Sequence, residues 1–387
     1  MKVRLGDICS QVTDGSHNPP TSVFYSERLM LSSKNIYDDQ ITIQDPRFLS
    51  EADYQNENKR TNIMKGDLLI TIVGTVGRVA VVPESFSGIC VQRSVAVIKP
   101  KHDIVYNRFL MYQLQNMRPY LEQEARGVAQ KGIYLKQVSQ LPIVLPPLDE
   151  QRRIAAVLDK VSDLIAKRRA QLDKLEELVK ARFVEMFGDP LIDSGRYTKV
   201  PLGSLVEVGS SKRIFEKEYV REGIPFYRTK EIVELSKGNQ ITTELFITRQ
   251  RYDEIKKEYG VPKAGDLLIS AVGTIGVIWI VDGKNNFYFK DGNLLRVVTN
   301  EKFTPIYLKH LLETLIGAYK LKMSSGTAYA ALTISALKEM LVYEVPIEEQ
   351  KQFASFVEQT DKSKLTIQQS LDKLKILKKA LMQQYFG

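Results

Sequence analysis

Residues 65–82 read KGDLLITIVGTVGRVAVV and residues 264–281 read AGDLLISAVGTIGVIWIV, so one segment occurs twice at an offset of 199 residues. Self-similarity at a fixed spacing indicates a repeated structural unit. The chain is therefore one unit of roughly 190 residues used twice. The same offset aligns two further pairs of segments, PPLDEQRR (146–153) with VPIEEQKQ (345–352) and RGVAQKGIYLKQVSQL (126–141) with SGTAYAALTISALKEM (325–340).

Each repeat has two parts with different local propensities. The first part contains β-branched runs such as DLLITIVG and SVAVIKP, broken by Gly, Pro, Asn and Asp, which predicts strands joined by turns. The second part, residues 149–187 and 348–386, has no Pro or Gly and is rich in helix formers. We therefore predict an α+β protein with two similar globular domains, which have curved mixed or antiparallel sheets, and two long helices. The predicted segments are a first domain at 1–148, a central helix at 149–188, a second domain at 189–347 and a C-terminal helix at 348–387.

The two long helices carry apolar residues at heptad spacing. Leu158, Ile165 and Leu172 recur every seven residues in the first helix, and Leu371 belongs to a comparable stripe in the second. An isolated helix would expose such a stripe to water, so each helix needs a long partner. The other copy is the economical partner, which predicts an antiparallel coiled coil with internal pseudo-twofold symmetry; the alternative is that each helix lies on its own domain. Asp149, which follows two prolines, is predicted as the N-cap of the first helix.

Composition restricts the function. The 387 residues carry a net charge of +9 and a pI of about 9.2, which admits a polyanionic partner. No apolar run is long enough to span a bilayer and the N-terminal sequence lacks a signal peptide, so a cytoplasmic protein is expected. Three scattered histidines and two cysteines give no metal-ligand spacing. Cys90, in a β-branched run, is predicted to be a buried strand residue rather than a nucleophile.

Two short motifs resemble enzyme motifs. Asn-Pro-Pro at 18–20 is part of the catalytic signature of DNA amino-methyltransferases, in which an aromatic residue follows and stacks on the flipped base. Thr21 occupies that position here, so a Pro-rich turn entering a strand is the favoured interpretation. The glycines of VGTVGRVAVV (73–82) are followed by β-branched residues and lack a P-loop lysine. That pattern predicts a strand, a turn and a strand rather than a phosphate-binding helix start.

Taken together, these segments resemble the specificity subunit of Type I restriction-modification systems. The resemblance covers nearly the whole chain, including the order of its parts. It implies two target-recognition domains, each reading one half of a split DNA sequence, and two helices that set their spacing and bind methyltransferase subunits. It also implies that residues 18–20 shape the DNA-facing edge. The residues that carry it are VTDGSHNPP near the N-terminus, the two GDLLI segments, GIPFYRTKEI (223–232), PPLDEQRRIAAVLDKV and its echo VPIEEQKQFASFVEQ.

The resemblance further implies that this chain is not an enzyme. Its partners would be double-stranded DNA, two methyltransferase subunits that modify adenine at N6, and restriction or translocase subunits. S-adenosylmethionine, ATP and Mg would be bound only by those partner subunits, and this chain would bind no cofactor, metal or membrane. The residues leave two alternatives, a self-contained DNA methyltransferase with duplicated recognition domains and a coiled-coil scaffold without a DNA role. The first would need a cofactor-binding domain for which the chain has no room.

Candidate DNA-contacting residues are the polar side chains and glycines at the ends of repeated strands, because both copies would face the same ligand there. The alternative for each is a solvated loop residue or a helix-capping group. In the first domain the candidates are Ser33, Lys34, Asn35, Gly74, Thr75, Arg78, Gln92, Arg93, Arg126, Gln130 and Lys131. In the second domain they are Lys212, Arg213, Arg228, Thr229, Lys230, Gly273, Thr274, Asp291, Asn293 and Tyr329.

Candidate partner-binding residues are apolar positions near the start of each long helix and outside the paired stripe. The charged residues around the stripe are expected to be only a solvated face. The candidates are Leu148, Ile154, Val157, Phe353 and Phe356.

Overall fold

Helix and strand boundaries follow the sequence repeat in the computed structural model, which describes residues 1–125, 132–192, 195–323 and 331–387. The helices of the first repeat are α1 (Glu51–Thr61), α2 (Asn107–Asn116), α3 (Arg118–Glu124), α4 (Leu135–Ser139) and α5 (Leu148–Phe187). The helices of the second repeat are α6 (Thr229–Ser236), α7 (Arg249–Glu258), α8 (Pro305–Met323), α9 (Ile334–Glu339) and α10 (Ile347–Phe386). Short 3-10 helices occur at Leu5–Ile8, Ser33–Asn35, Leu202–Ser204 and Glu216–Glu218.

The strands are short, and all except two strands of the first repeat, at residues 36–37 and 40–41, fall in corresponding places in both repeats. Those of the first repeat are β1 (Lys2–Arg4), β2 (Cys9–Asp14), β3 (Leu29–Leu31), β4 (Ile36–Tyr37), β5 (Gln40–Ile41), β6 (Arg47–Phe48), β7 (Leu68–Thr71), β8 (Val79–Val81), β9 (Ile89–Val91), β10 (Val95–Pro100) and β11 (Pro142–Val144). Those of the second are β12 (Lys199–Pro201), β13 (Glu207–Gly209), β14 (Ile224–Tyr227), β15 (Phe246–Ile247), β16 (Leu267–Ser270), β17 (Ile278–Ile280), β18 (Tyr288–Phe289), β19 (Leu294–Val298) and β20 (Leu341–Tyr343).

Both repeats build the same four-stranded, three-stranded and two-stranded sheets, and the first repeat has in addition the two-stranded sheet β4-β5. The first has an antiparallel sheet in the order β2-β10-β7-β8, and the second has one in the order β13-β19-β16-β17. Three-stranded mixed sheets follow the orders β6-β3-β9 and β15-β14-β18, in which the central strand pairs in parallel with β9 or β18. A two-stranded ribbon, β1 with β11 or β12 with β20, closes each repeat. The predicted α+β class with mixed sheets is confirmed.

Contacts divide the chain into two units whose boundaries fall inside the long helices. Unit 1 contains Met1–Arg169 and Gln369–Gly387, and unit 2 contains Ala170–Gln368. Each unit therefore combines one globular segment with part of α5 and part of α10. This division differs from the four consecutive segments expected from the sequence, because the cores include residues from both helices.

The core of unit 1 uses both helices. Ile154 and Leu158 of α5 are buried in it, and Leu381, Tyr385 and Phe386 of α10 pack against it. The Phe386 ring meets the Phe109 ring edge to face, with 5.4 Å between centroids. The alternative in which each long helix lies only on its own domain is therefore wrong.

The core of unit 2 is more aromatic at the corresponding place. Phe183 and Phe187 of α5 contact Tyr307 of α8 and Phe353 of α10, with centroid distances of 4.9–5.6 Å. Aromatic groups of this size bury large apolar areas and pack with defined ring geometry. The late part of α5 and the early part of α10 thus complete this unit.

A buried glutamine ties the start of each long helix to its domain. The Gln151 amide accepts a hydrogen bond from Tyr106 N (2.8 Å) and donates to the carbonyls of Ile104 and Pro146. Gln350 repeats this pattern in unit 2, with Thr304 N as donor and the carbonyls of Lys302 and Val345 as acceptors. Both side chains belong to fully buried residues. These glutamines satisfy backbone groups that no secondary structure pairs.

Asp149 is not the N-cap of α5, contrary to the sequence prediction. The helix begins at Leu148, and Gln151 N donates to Pro147 O (3.1 Å), so Asp149 lies within the first turn. Glu150 also lies in this turn, and Glu348 and Glu349 occupy the first turn of α10. Carboxylates at these positions interact favourably with the helix dipole instead of capping it.

Gln350→Met is expected to destabilise unit 2. The substitution keeps the length of the side chain but leaves Thr304 N and two carbonyls without partners, and each buried unpaired group costs about 1–3 kcal/mol. Native-state hydrogen exchange of α8 amides should show a lower free energy of opening. Gln352→Met, at an exposed position of the same helix, is the matched control and should change it by less than about 0.5 kcal/mol. Equal protection in both variants would contradict the assigned role.

Phe386→Ala is expected to loosen unit 1, although residue 386 is far from that unit in sequence. Removing the ring deletes its contact with Phe109 and leaves a cavity against the core, which for phenylalanine costs up to about 3–5 kcal/mol. Hydrogen exchange should accelerate in α2 and remain unchanged in α8. The control is Leu377→Ala, because Leu377 on the same helix is 47% exposed. Faster exchange confined to α8 would refute this packing.

Candidate nucleic-acid interface

In unit 1, the turn after β2 meets the carboxyl ends of the parallel strands β3 and β9. Gln92 N donates to Leu31 O (2.9 Å), which joins the two strand ends. Ser16 N donates to Val91 O and Arg93 N donates to Ser16 O, both at 2.8 Å. We call residues 14–17, 31–35, 73–78 and 91–94 the recognition edge of unit 1. It brings together the predicted residues Ser33, Gln92 and Arg93, with the DGSH turn between them.

Gly15 makes this close approach possible. A Cβ atom on Gly15 would lie 1.8 Å from Val91 O, far inside contact distance. Asp14, before it, is buried and hydrogen-bonds to His17 (2.8 Å) and to Arg60. Residues 18–20 follow as irregular chain, and Pro20 O accepts a hydrogen bond from Arg47 (2.7 Å). The interpretation of Asn-Pro-Pro as a loop is confirmed, but the loop does not lead directly into a strand, because β3 begins only at Leu29.

The glycine-rich segment is a hairpin tip at the same edge. β7 and β8 pair antiparallel, so the predicted strand, turn and strand are confirmed. Gly74 has a φ of 82°, which favours glycine, and its Cβ position would lie 3.8 Å from Ser33 Oγ. The Thr71 hydroxyl accepts from Arg78 N (2.9 Å) and donates to Thr75 O, which fixes the tip. Gly74 and Thr75 are exposed on this tip.

The remaining candidates of unit 1 differ in what their side chains do. Lys34 and Arg93 are exposed, and Lys34 pairs with Asp45. Arg78 stacks over the Tyr37 ring at 4.9 Å. Asn35 is only 1% exposed, and its amide bonds to Ser32 N and Gln44 O, so it positions the 3-10 turn and presents no free surface to a ligand. This corrects the prediction that the Asn35 side chain contacts DNA.

Unit 2 builds its recognition edge from residues 209–213, 227–231, 272–277 and 290–293. Lys290 N donates to Tyr227 O (2.8 Å), which joins the ends of the parallel strands β14 and β18. Gly292 N donates to Ser210 Oγ, and Ala271 N donates to Asn293 O (2.8 Å), so the segment after β13 and the second hairpin meet there. The Ser270 hydroxyl repeats the role of Thr71 in the hairpin. Gly273, Thr274 and Asn293 are exposed.

The charged candidates of unit 2 lie in pairs at this edge. Arg213 donates to Asp291 Oδ2 (2.7 Å). Arg228 donates to Glu231 from its backbone N (2.9 Å) and its guanidinium (3.1 Å), and this hydrogen bond raises the pKa of Arg228. Sequence reasoning does not single out Glu231, although its spacing after Arg228 is that of a capping box.

Three further candidates of unit 2 have simpler surroundings. The Lys212 ammonium lies over the Tyr259 ring at 4.9 Å. Thr229 and Lys230 form the first turn of α6, and Lys230 is exposed. Four predicted residues lie outside the described residues, namely Arg126, Gln130, Lys131 and Tyr329.

The predicted partner-binding residues divide into exposed and buried positions. Leu148, Val157 and Phe356 are half-buried and reach solvent. Ile154 is 5% exposed and Phe353 is fully buried, because each packs in the core of its unit. Those two side chains offer no surface to a partner, which corrects that part of the prediction.

The described residues bear on two further sequence predictions, about metal ligands and about Cys90. They contain no cluster of His, Cys, Asp or Glu that could bind a metal ion. Cys90 is 1% exposed in β9, and burial raises its pKa to about 12, which confirms it as a buried strand residue. No helix in these ranges is both long and apolar enough to cross a membrane.

Comparison with known proteins gives a consistent family. Residues 2–177 and 195–376 match the family model described as type I restriction modification DNA specificity domain. A putative type I restriction enzyme specificity subunit of Haemophilus influenzae is 29% identical over 260 residues, which are 65% of this chain and 63% of that protein. The match thus spans less than two thirds of that relative. The MjaIX specificity subunit of Methanocaldococcus jannaschii is 27% identical over 348 residues, covering 82% and 76% of the two chains.

Among solved structures, the S subunit of a type I restriction-modification system from M. genitalium is similar in fold. It covers 100% of this chain and 96% of its own length, with a TM-score of 0.57 and 16% identity. A chain from a structural study of complex assembly in the type I system gives the same TM-score at 20% identity, covering 100% and 97%. At these identities the likeness concerns the fold alone.

Gly15→Ala is expected to disrupt the recognition edge of unit 1. The added methyl would collide with Val91 O, so β9 or the DGSH turn must move, and overpacking of this kind costs about 1–3 kcal/mol. The loss should appear as a lower unfolding midpoint and faster exchange of the Gln92 and Arg93 amides. Gly209→Ala is the control, because nothing lies within 4 Å of its Cβ position. Equal stability of the two variants would contradict the close approach.

Proposed function

Because the chain belongs to the family of type I restriction modification DNA specificity domains, we propose that it recognises a split double-stranded DNA sequence and directs partner subunits to it. Each unit reads one half-site through its recognition edge. The two edges carry different residues, so the half-sites differ in sequence. This role places the protein in the cytoplasm, where the DNA is.

One observation carries the proposal. Both units form an edge from the same strand order in their four- and three-stranded sheets, from the same hairpin and from the segment that follows the first strand of the antiparallel sheet. The polar side chains on this shared framework differ, for example Gln92 after β9 in unit 1 and Lys290 after β18 in unit 2. Two copies of one framework that carry different polar groups are suited to binding two DNA half-sites of different sequence. Each base pair presents its own donors and acceptors, so different side chains select different bases.

Cationic groups at both edges support binding to the DNA backbone. Lys34 and Arg93 in unit 1 and Lys212, Arg213 and Lys230 in unit 2 are exposed. Contacts of such groups with phosphates fix the register of a protein on the duplex, whereas a few other side chains read the bases. The net charge of +9 favours the same partner.

The chain acts in this proposal as a recognition subunit without catalysis of its own. Two adenine-N6 methyltransferase subunits carry out modification, and restriction or translocase subunits cleave. S-adenosylmethionine, ATP and Mg are bound by those subunits. The half-buried residues Leu148 and Val157 on α5 and Phe356 on α10 are the contact points that we assign to the methyltransferases.

Deleting this chain should abolish methylation of one split motif. Base-modification sequencing would compare cells that express it together with a Type I methyltransferase subunit with cells in which only this chain is deleted. N6-methyladenine in a two-part motif should disappear on deletion and return with the wild-type chain. Methylation that is unchanged by the deletion would refute the proposal.

Two controls separate the alternatives. Equilibrium dialysis of the isolated chain with S-adenosylmethionine should show no binding, and tight binding would favour a self-contained methyltransferase. Affinity for the identified duplex should fall steeply with salt yet exceed that for a scrambled duplex at physiological salt. A coiled-coil scaffold would show neither property.

A further inference from the structure

The recognition edge of unit 2 contains buried polar groups that the protein itself does not satisfy. Within the described residues, four buried side-chain atoms at this edge have no hydrogen-bond partner, and the edge of unit 1 has none. Such groups are costly unless a ligand supplies the missing partner. The asymmetry therefore points to a polar ligand group bound by unit 2. The four atoms are Ser211 Oγ, Arg228 Nε, Thr229 Oγ1 and Asp291 Oδ1.

Arg228 presents a guanidinium whose orientation is fixed. Glu231, only 2% exposed, accepts from the Arg228 backbone N and from its Nη2. The Arg228 side chain remains 40% exposed, so a ligand can reach its other edge. A planar fork held by a buried carboxylate loses little freedom when it donates two parallel hydrogen bonds. Glu231 is a positioning residue for this fork.

Asp291 presents an acceptor on the neighbouring strand end. Its Oδ2 accepts from Arg213, whereas its Oδ1 lacks a hydrogen-bond partner and is 3.5 Å from the Lys290 ammonium. The Lys290 N to Tyr227 O hydrogen bond joins this strand end to the one that leads into Arg228. Arg213, with 67% of its side chain exposed, can turn to a phosphate and open the carboxylate to the groove.

The Glu231 carboxylate makes a phosphate an unfavourable ligand for Arg228. Glu231, which accepts a hydrogen bond from the guanidinium, would repel a phosphate that approached it, whereas a base edge is uncharged. In the major groove, guanine offers the acceptors O6 and N7, and the paired cytosine offers the N4 amino donor. A guanidinium fork and a carboxylate, which follow the joined ends of β14 and β18, match this acceptor, acceptor, donor pattern.

We propose that unit 2 reads a G·C base pair in its half-site, with Arg228 donating to guanine O6 and N7 and Asp291 accepting from cytosine N4. This rests on the proposed function, since it names the base pair that the same edge recognises. Arg213 and Lys290 flank the carboxylate and bind the adjacent phosphates.

Selection from a duplex library tests the inference with the full chain. The library randomises the half-site positions of the target found by methylation sequencing. Wild-type protein should enrich G·C at one position of one half-site. Arg228→Lys, which keeps the charge but loses the fork, and Asp291→Ala should each reduce discrimination there by roughly 5- to 100-fold. All other positions, including the other half-site, should keep their preferences.

Base analogues separate direct readout from a merely structural role. 7-Deazaguanine removes the N7 acceptor and should weaken wild-type binding but add little to the loss already caused by Arg228→Lys. N4-methylcytosine should act in the same way with Asp291→Ala. The matched controls are Arg249→Lys and Asp253→Ala, an exposed ion pair on α7 away from the edge. Both controls should behave as wild type.

The outcomes distinguish the two proposals. If the wild-type chain enriches a split sequence but the variants only lower affinity uniformly, Arg228 and Asp291 contact the backbone and this inference is overturned, while the proposed function stands. The same holds if the half-site of unit 2 contains no G·C position. If the wild-type chain enriches no split sequence, the proposed function fails and the inference fails with it.

Discussion

The buried glutamine at the start of each long helix is the contact on which the arrangement of each unit depends. Gln151 and Gln350 use their amides to satisfy one backbone N–H and two carbonyls within the domain. A buried amide has few arrangements that satisfy all these groups at once, so the direction in which the helix leaves the domain is fixed. Within each unit, this fixes the position of the long helices relative to the strands that carry the recognition edge.

Much of the fold could be predicted because the internal repeat shows the same pattern of strands and helices twice. The strand, turn and strand of the glycine-rich segment follow from β-branched runs and positive-φ glycines, which are local properties. The buried states of Ile154 and Phe353 could not be predicted in this way, because they depend on neighbours distant in sequence. The partner of Arg228 is local, but a glutamate at this spacing predicts only a helix cap, so the sequence does not indicate that Glu231 also orients the Arg228 guanidinium. The candidate edges were found as groups of residues, whereas the role of each side chain required the structure.

Different interactions hold the long helices against the globular segment in the two units. In unit 1, Arg108 of α2 bonds to Asp39 and Asp159, and Tyr112 OH donates to Asp159 (2.7 Å). Lys378 of α10 lies over the Tyr112 ring, and burial lowers the pKa of Lys378. In unit 2 the corresponding place is the aromatic cluster around Tyr307 and Phe353. An ionic network depends on geometry and salt, and an aromatic cluster depends on apolar area, so the repeated framework tolerates both.

The packing of Phe386 against Phe109 also has a consequence for synthesis on the ribosome. The globular segment of unit 1 leaves the ribosome first, but part of the surface that covers its core belongs to residues translated at the end of this sequence. Until those residues emerge, the nascent domain carries an uncovered apolar face, and species of this kind are prone to aggregate. The core of unit 1 is thus completed only after residues 170–368 have been translated. The time for which its apolar face stays uncovered grows with the length of that intervening segment.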